Sequence, residues 1–408
     1  MVMPAGRPVP RRSPRPVVLV THSYYEEDPR VRRQAEAIVA AGRPVDVIAL
    51  RRPGDGPNGE IGGVRLRRLD VQRHQGAGLG TYLAEYLAFF VRVAVALVGA
   101  QPRRRYALVQ VATLPDWLVF AALPLRMVGV AVILDLHESM PDFFRSRFPR
   151  ASNPIVGRLL RLAERASIAT ATHALIVNAA LRERLIDLGV APDHVTVVRN
   201  TPSLARFDPG ALAVRPFMAD GTLRLVYAGA ITPTYELDVA LRAVARIVAR
   251  RPELPIHLDV YGRGDSRPIL EALAVELDVA DHLTFHGRIP IEDVPAAIAR
   301  ADVGLAPTRR DPFTDASLST KILEYAAMHR PAVATNLPLV RATFPAGTIA
   351  TYEPGDADDL ADRILALVDD AAGRDAAVEA AADLVATMAW ERDARDYLAI
   401  LERFARDR

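Results

Sequence analysis

The sequence predicts an α/β protein made of two doubly wound parallel-sheet domains in series. Three observations lead there. The chain has 408 residues, half of them hydrophobic, which is too long for one core. Short apolar, β-branched runs alternate with helical patterns almost throughout, and strands apolar on both faces imply a parallel sheet covered on both sides. The alternation breaks once, at the Pro- and Gly-rich stretch 201–221, and then starts again.

Residues 1–15 carry Arg7, Arg11, Arg12 and Arg15 and no acid. They lack the apolar run of a signal peptide and read as a disordered basic tail that could touch anionic lipid. The first domain spans 16–200. PVVLVTHS (16–23) is a buried strand, and DPRVRRQAEAIVAAG (28–42) is a helix with an acid at its start and glycine at its end. VDVIALR, VRLRRLD, ALVQVAT and AVILDLHE follow as strands, with helices at about 79–100 and 115–128 between them; HALIVN and VTVVRN complete the domain. After the linker 201–221, the second domain (222–387) repeats the alternation with LRLVYAGA, IHLDVYG, LTFHGRI, VGLAPT and PAVATN. Residues 388–408 form a closing amphipathic helix.

The apolar stretch 82–100 is nearly long enough to span a bilayer. Glu85 and Arg92, seven apart, fall on one face, so it reads as an amphipathic helix in the core or on a membrane surface.

Composition excludes several chemistries. A net charge of +2 gives no field towards nucleic acid, and the absence of cysteine removes disulfides, thiolate metal sites and cysteine nucleophiles. A reducing cytoplasm suits such a chain, with peripheral contact at the inner membrane face as an option. No P-loop or G-x-S-x-G occurs, and the nine histidines show no metal-ligand spacing, so neither cofactor nor metal is expected. GAGLG (76–80) does not follow a strand and reads as loop. YGRGD (261–265) does follow one, and its glycines suit a tight turn or a close backbone approach to a ligand. Asp356 and Asp358 begin a helix and read as capping.

Ligands of such sheets bind beyond the carboxyl ends of the strands. That selects 22–30, 137–142, Asn200, 229–236, 262–265, Gly287 and 307–324. DASLSTKILEY (315–325) runs from a loop into a helix. Ser319 and Thr320 suit its start, where free N–H groups and the helix dipole favour an anion. Lys321 is the one lysine beside 50 arginines. In a first turn it opposes the dipole unless an anion lies nearby. Glu324 lies on the same face, one turn on, where its carboxylate can accept both hydroxyls of a ribose. In the alternative reading Lys321 and Glu324 simply face solvent.

STKILEYAAMHRPAVAT resembles the nucleotide-sugar motif of the family-four glycosyltransferases, whose GT-B fold sets two Rossmann-like domains across a cleft. Residues 26–50, LDLHE, VVRNTP, YAGAITPTYELDVALRAVA and MAWERDARDYLAILERF are similar to further family segments, in order, over nearly the whole chain. The resemblance implies a retaining, metal-independent transfer from a nucleotide-diphosphate sugar to a hydroxyl on a glycan, a lipid-linked or a small-molecule acceptor. It implies that Glu324 holds the ribose, that Ser319 and Thr320 offer N–H groups to the diphosphate, and that Gly229 lets backbone approach it. Ala230, Thr232 and Gly262 join this donor side. His137 would face the transferred sugar, and His22, Asp28, Arg30 and Glu138 the acceptor. Two departures stand out. An acid expected eight residues before Glu324 is Ala316, with Asp315 beside it, and the expected phosphate cations are Ala230 and Tyr235. Lys321 would supply the missing charge. An epimerase or a non-catalytic donor-binding protein on the same fold are the alternatives.

Overall fold

The computed structural model describes residues 14–72 and 78–406. The basic tail up to residue 13, Gly76 and Ala77 of GAGLG, and the last two residues lie outside it. Arg15, read as part of the tail, is tied to the fold: it donates to the carbonyls of Arg105 (2.5 Å) and Tyr106 (2.9 Å).

The first sheet has eight strands: β1 (Val17–Val20), β2 (Val45–Leu50), β3 (Asn58–Ile61), β4 (Val64–Leu69), β5 (Leu108–Ala112), β6 (Ala131–Leu136), β7 (His173–Ile176) and β8 (Val195–Val197). Their spatial order is β3-β4-β2-β1-β5-β6-β7-β8, parallel except for β3 against β4. The second sheet contains β9 (Leu223–Ala228), β10 (Ile256–Tyr261), β11 (Leu283–Gly287), β12 (Val303–Ala306), β13 (Ala332–Thr335) and β14 (Ala350–Tyr352). Its order is β11-β10-β9-β12-β13-β14, and every paired neighbour is parallel. In each sheet the first strand is central and the chain winds outward in both directions, so each has a switch point beside β1 or β9.

The helices of the first half are α1 (Pro29–Ala40), α2 (Leu79–Arg104), α3 (Leu123–Met127), α4 (Met140–Arg147), α5 (Pro154–Thr170) and α6 (Ala179–Asp187). The second half adds α7 (Leu237–Arg250), α8 (Arg267–Glu276), α9 (Val294–Ala299), α10 (Thr320–Ala327), α11 (Pro338–Thr343), α12 (Ala357–Asp369), α13 (Ala371–Thr387) and α14 (Trp390–Phe404). Caps set several starts. Asp28 accepts from the Val31 N–H, and Asp356 accepts from the N–H groups of Asp358 and Asp359. The helix expected at 115–128 is instead a 3-10 segment, Asp116–Ala122, followed by α3, where Pro124 sits in the first turn. A proline tolerates only a helix start, so the ladder is interrupted there.

Alternation along β1 divides the first core. Val18 and Val20 pack with α2, the 3-10 segment and α5; Val17 and Leu19 pack with α1 and α14. The closing helix therefore crosses back to the first domain. Tyr397 and Leu401 are buried there, and Arg199 pairs with Asp393 at 2.6 Å. At the N-terminal end of α14, Glu391 accepts from Ser203 Oγ (2.6 Å) and from the Leu204 and Ala205 N–H groups, which pins the linker.

Candidate active site

A cleft of about 1010 Å³ opens between the carboxyl edges of the two sheets. The first domain contributes Glu27, Arg33 and Arg52, the linker contributes Arg206, and the second domain contributes Gly229, Tyr235, Arg263, Lys321 and Glu324, among others. Direct contacts close its sides. Arg288 meets Glu27 at 2.5 Å, Ser146 donates to Asp311 at 2.5 Å, and the rings of Phe143 and Phe313 stack edge-on at 5.7 Å.

The second-domain wall is built on glycines. A Cβ on Gly262 would lie 1.8 Å from the Gly229 carbonyl oxygen, and one on Gly264 would lie 1.9 Å from that of Ile231. The loops after β9 and β10 can nest only because both side chains are missing. A Cβ on Gly229 would lie 2.3 Å from Lys321 Cε, so this glycine makes room for the lysine rather than merely for a ligand.

Lys321 does not face solvent. It is buried, with its ammonium 3.9 Å from the Tyr235 ring centre and 5.1 Å from that of Tyr227. Two aromatic faces hold the cation over the cleft. Tyr235, at a position where a cation was expected, thus cradles one from α10. Glu324 is half-buried one turn further on, and burial pushes its carboxyl up to about 7, against the pull of Lys321, Arg33 and Arg206. Ser319 is the N-cap of α10 but makes no side-chain cap bond. In the first turn the Ile322 N–H bonds back to the Ser319 carbonyl at 3.2 Å, and Thr320 and Lys321 line the cleft wall.

At the first domain's edge most charge turns inward. Asp135 is fully buried; it is paired with Arg30 and accepts from Gln34 (2.8 Å) and Gln110 (3.1 Å). Despite its burial, the guanidinium of Arg30 and the imidazole of His137 hold its carboxyl well below the usual range. Tyr397 of α14 donates to Gln110 at 2.7 Å, and His137 Nε2 lies 3.4 Å from Asp135. Asp28 caps α1 and accepts from Thr21 and Ser23, and the His22 ring meets Tyr86 at 4.8 Å and Phe89 at 4.9 Å. Glu138 is half-buried, and burial pushes its carboxyl up to about 7.

Of the residues singled out in the sequence, Gly229, Ala230, Gly262, Thr320, Lys321 and Glu324 meet in the cleft wall. Thr232 lies in the next turn, accepting from the Tyr235 N–H at 3.0 Å. His22, Asp28, Arg30, His137, Glu138 and Ser319 are not among the cleft-lining residues. Asp28 and Arg30 already have partners within the first domain. Ala316 faces the other domain, its carbonyl accepting from Asn178 Nδ2 at 3.1 Å, while Asp315 pairs with Arg310 at 3.3 Å.

Sequence reasoning missed five cleft-lining arginines: Arg33, Arg52, Arg206, Arg263 and Arg288. Arg33 is buried, its guanidinium bonded to Asn200 and 5.1 Å from the Trp390 ring. Burial and nearby Arg30 lower it to about 9, which leaves it charged at neutral pH. Arg206 pairs with Glu36 at 3.0 Å. Arg263 is exposed and makes no side-chain bond among the described residues. In so arginine-rich a chain, only the strand-then-loop position of Arg263 in YGRGD could have marked it.

Residues 28–201 match the family described as glycosyl transferase 4-like domain, and residues 222–370 match glycosyl transferases group 1. A D-inositol 3-phosphate glycosyltransferase of Stackebrandtia nassauensis is 31% identical over 282 residues, 66% of this chain and 60% of the relative. The alpha-D-kanosaminyltransferase of Streptomyces kanamyceticus is 25% identical over 68% of this chain and 72% of its own length. Matches to the D-inositol 3-phosphate enzymes span between 34% and 60% of their length. Among solved structures, sucrose-phosphate synthase from Thermosynechococcus elongatus superposes with a TM-score of 0.73 at 18% identity, covering 95% of this chain and 98% of that one. The Anabaena protein HepE, in complex with UDP-glucose, gives 0.68 at 14% identity over 95% and 100%. At these identities the structural likeness establishes the two-domain GT-B fold alone.

Proposed function

The chain belongs to the group 1 glycosyltransferase family, and on that premise we propose that it moves a sugar from a nucleoside-diphosphate donor to an acceptor hydroxyl, retaining anomeric configuration. One observation carries this reading: the first turn of α10 lies in the cleft wall, with Lys321 and Glu324 on it and Gly229 beside it. Glu324 accepts the ribose hydroxyls. The N–H groups of Ser319 and Thr320 meet the diphosphate at the positive end of the helix. Lys321 and Arg263 supply the cationic charge that the opening of this domain lacks. The bond from the anomeric carbon to the diphosphate oxygen breaks as a bond to the acceptor oxygen forms on the same face. The acceptor proton passes to the departing phosphate oxygen. Charge develops on that oxygen, so cations already in place lower the barrier, and the reading requires no bound metal. His137, beside Asp135 and not among the cleft-lining residues, is assigned to the transferred sugar by the family resemblance alone.

Relatives named as glycosyltransferases support sugar transfer as the reaction class, and HepE with UDP makes UDP the first donor nucleotide to try. Calorimetric titration with UDP, GDP and ADP tests the site; no binding at millimolar concentration would end the reading. Product analysis by NMR, with and without EDTA, tests retention and metal independence. Conversion of UDP-N-acetylglucosamine to its 2-epimer without any acceptor would replace transfer by epimerisation.

A further inference from the structure

Among the described residues, thirteen large hydrophobic side chains are exposed, and eleven of them lie on one helical layer of the first domain. On α2 they are Leu83, Leu87, Val91, Val95 and Val98, an outward stripe at near-helical spacing. On and just after α3 they are Leu123, Met127 and Val128, with Met127 85% exposed. On α5 they are Ile155, Leu159 and Leu162, with Ile155 71% exposed. These helices are neighbours: α2 and α5 both pack against the 3-10 segment Asp116–Ala122, which leads into α3. Their inner side chains, among them Phe89, Val93, Leu97 and Ile168, fill the core beneath.

Charge on this layer is one-sided. Arg92 and Arg103 on α2 and Arg158, Arg161 and Arg165 on α5 are exposed, and none pairs with an acid among the described residues. The acids of the same elements, Glu85, Asp116 and Glu164, are all buried. Exposed acids resume only on α6, with Glu183 and Asp187. The chain as a whole is close to neutral, so this face concentrates positive charge. It also replaces the polar face expected from Glu85 and Arg92, since Glu85 is inside and Arg92 outside.

We propose that the outer surface of α2, α3 and α5 lies on an anionic lipid bilayer, with its apolar side chains at the acyl boundary and its arginines among the headgroups. Length and apolarity alone would let α2 span a membrane. Its inner face is part of the core of the first sheet, however, so the helix lies flat with the domain above it. A second copy of the chain fits this surface poorly. A twofold contact would set these arginines against the same arginines. The inference is independent of the donor reading.

Flotation of the full chain with vesicles tests it. The chain should float with phosphatidylcholine vesicles containing about a third phosphatidylglycerol, and far less with phosphatidylcholine alone. The double variant Leu87→Glu, Val95→Glu should lose more than tenfold in partitioning, as should Arg158→Glu, Arg161→Glu. Ile269→Glu, at an exposed apolar position on α8, should float like the parent. Retained circular dichroism and melting temperature show that the variants fold. Absence of flotation on anionic vesicles would overturn the proposal. So would equal flotation of the parent and the α2 variant, or sedimentation as a dimer that the α2 variant abolishes without any vesicle binding.

Discussion

The two walls of the cleft use charge in opposite ways. Behind the first-domain side, Asp28 accepts from Thr21 and Ser23, Arg30 pairs with Asp135, and the carboxyl of Asp135 lies below its usual range. On the second-domain side, Glu324 sits half-buried with its carboxyl above its usual range, and Lys321 rests on aromatic rings rather than on an acid. The Asp135 carboxyl is held by Arg30, Gln34 and Gln110 within the fold, whereas the Glu324 carboxyl accepts no side-chain hydrogen bond among the described residues, and its rise is due to burial. The contrast separates polar residues that maintain the domain from those left available to a ligand.

Substitutions at the two walls should therefore fail differently. The largest effect is expected at Asp135. Asp135→Ala leaves Arg30 buried without its partner and should cost about 3–5 kcal/mol of stability, seen in chemical denaturation. A variant that melts like the parent would show the network to be dispensable. Glu324→Gln should not lower the melting temperature, should raise it at pH above about 7, and should weaken donor binding tenfold or more, since a charge-assisted bond contributes about 1.5–3 kcal/mol. Loss of stability instead of affinity would move Glu324 to the maintaining class.

His137 tests the border between the walls. His137→Ala should lower turnover more than tenfold, about 1.4 kcal/mol, while nucleotide affinity barely changes. Equal loss of both would assign it to folding.

Lys321→Arg keeps the charge and changes the shape. A surface exchange would be silent in a chain with 50 arginines, but this side chain is packed against Tyr227, Tyr235 and Gly229. The bulkier guanidinium should cost about 1–3 kcal/mol by overpacking and lower turnover as well. Unchanged melting and turnover would mean that the pocket adapts.

The smallest effect is in pH. Burial raises Glu324 from 4.5 to about 7, so the folded chain holds a proton there that the unfolded chain has lost. Its contribution to stability is complete below about 4.5 and declines as pH rises through about 7. Ribose binding needs the carboxylate and should strengthen over that same rise. A nucleoside without phosphate isolates the effect, and Glu324→Gln should flatten it. An unchanged slope in that variant would assign the titration elsewhere, with Glu138 the next candidate because burial brings it to the same range.

The sequence by itself determined the two-domain α/β order, the strands of both cores, the caps at Asp28 and Asp356 and the α10 motif. Each depends on local pattern: a buried parallel strand must be apolar on both faces, and a helix start needs an acceptor. Short edge strands β3 and β14 escaped because they bury too little to show a period. Tertiary structure alone decided which charges face the cleft. Asp28 and Lys321 look equally available in the sequence, yet one is occupied by Thr21, Ser23 and a helix end, and the other stands on two rings. It also turned α2 so that Glu85 is inside and a row of leucine and valine is outside. Partners for a polar or apolar side chain come from segments far along the chain, and local periodicity holds no information about where those segments come to rest.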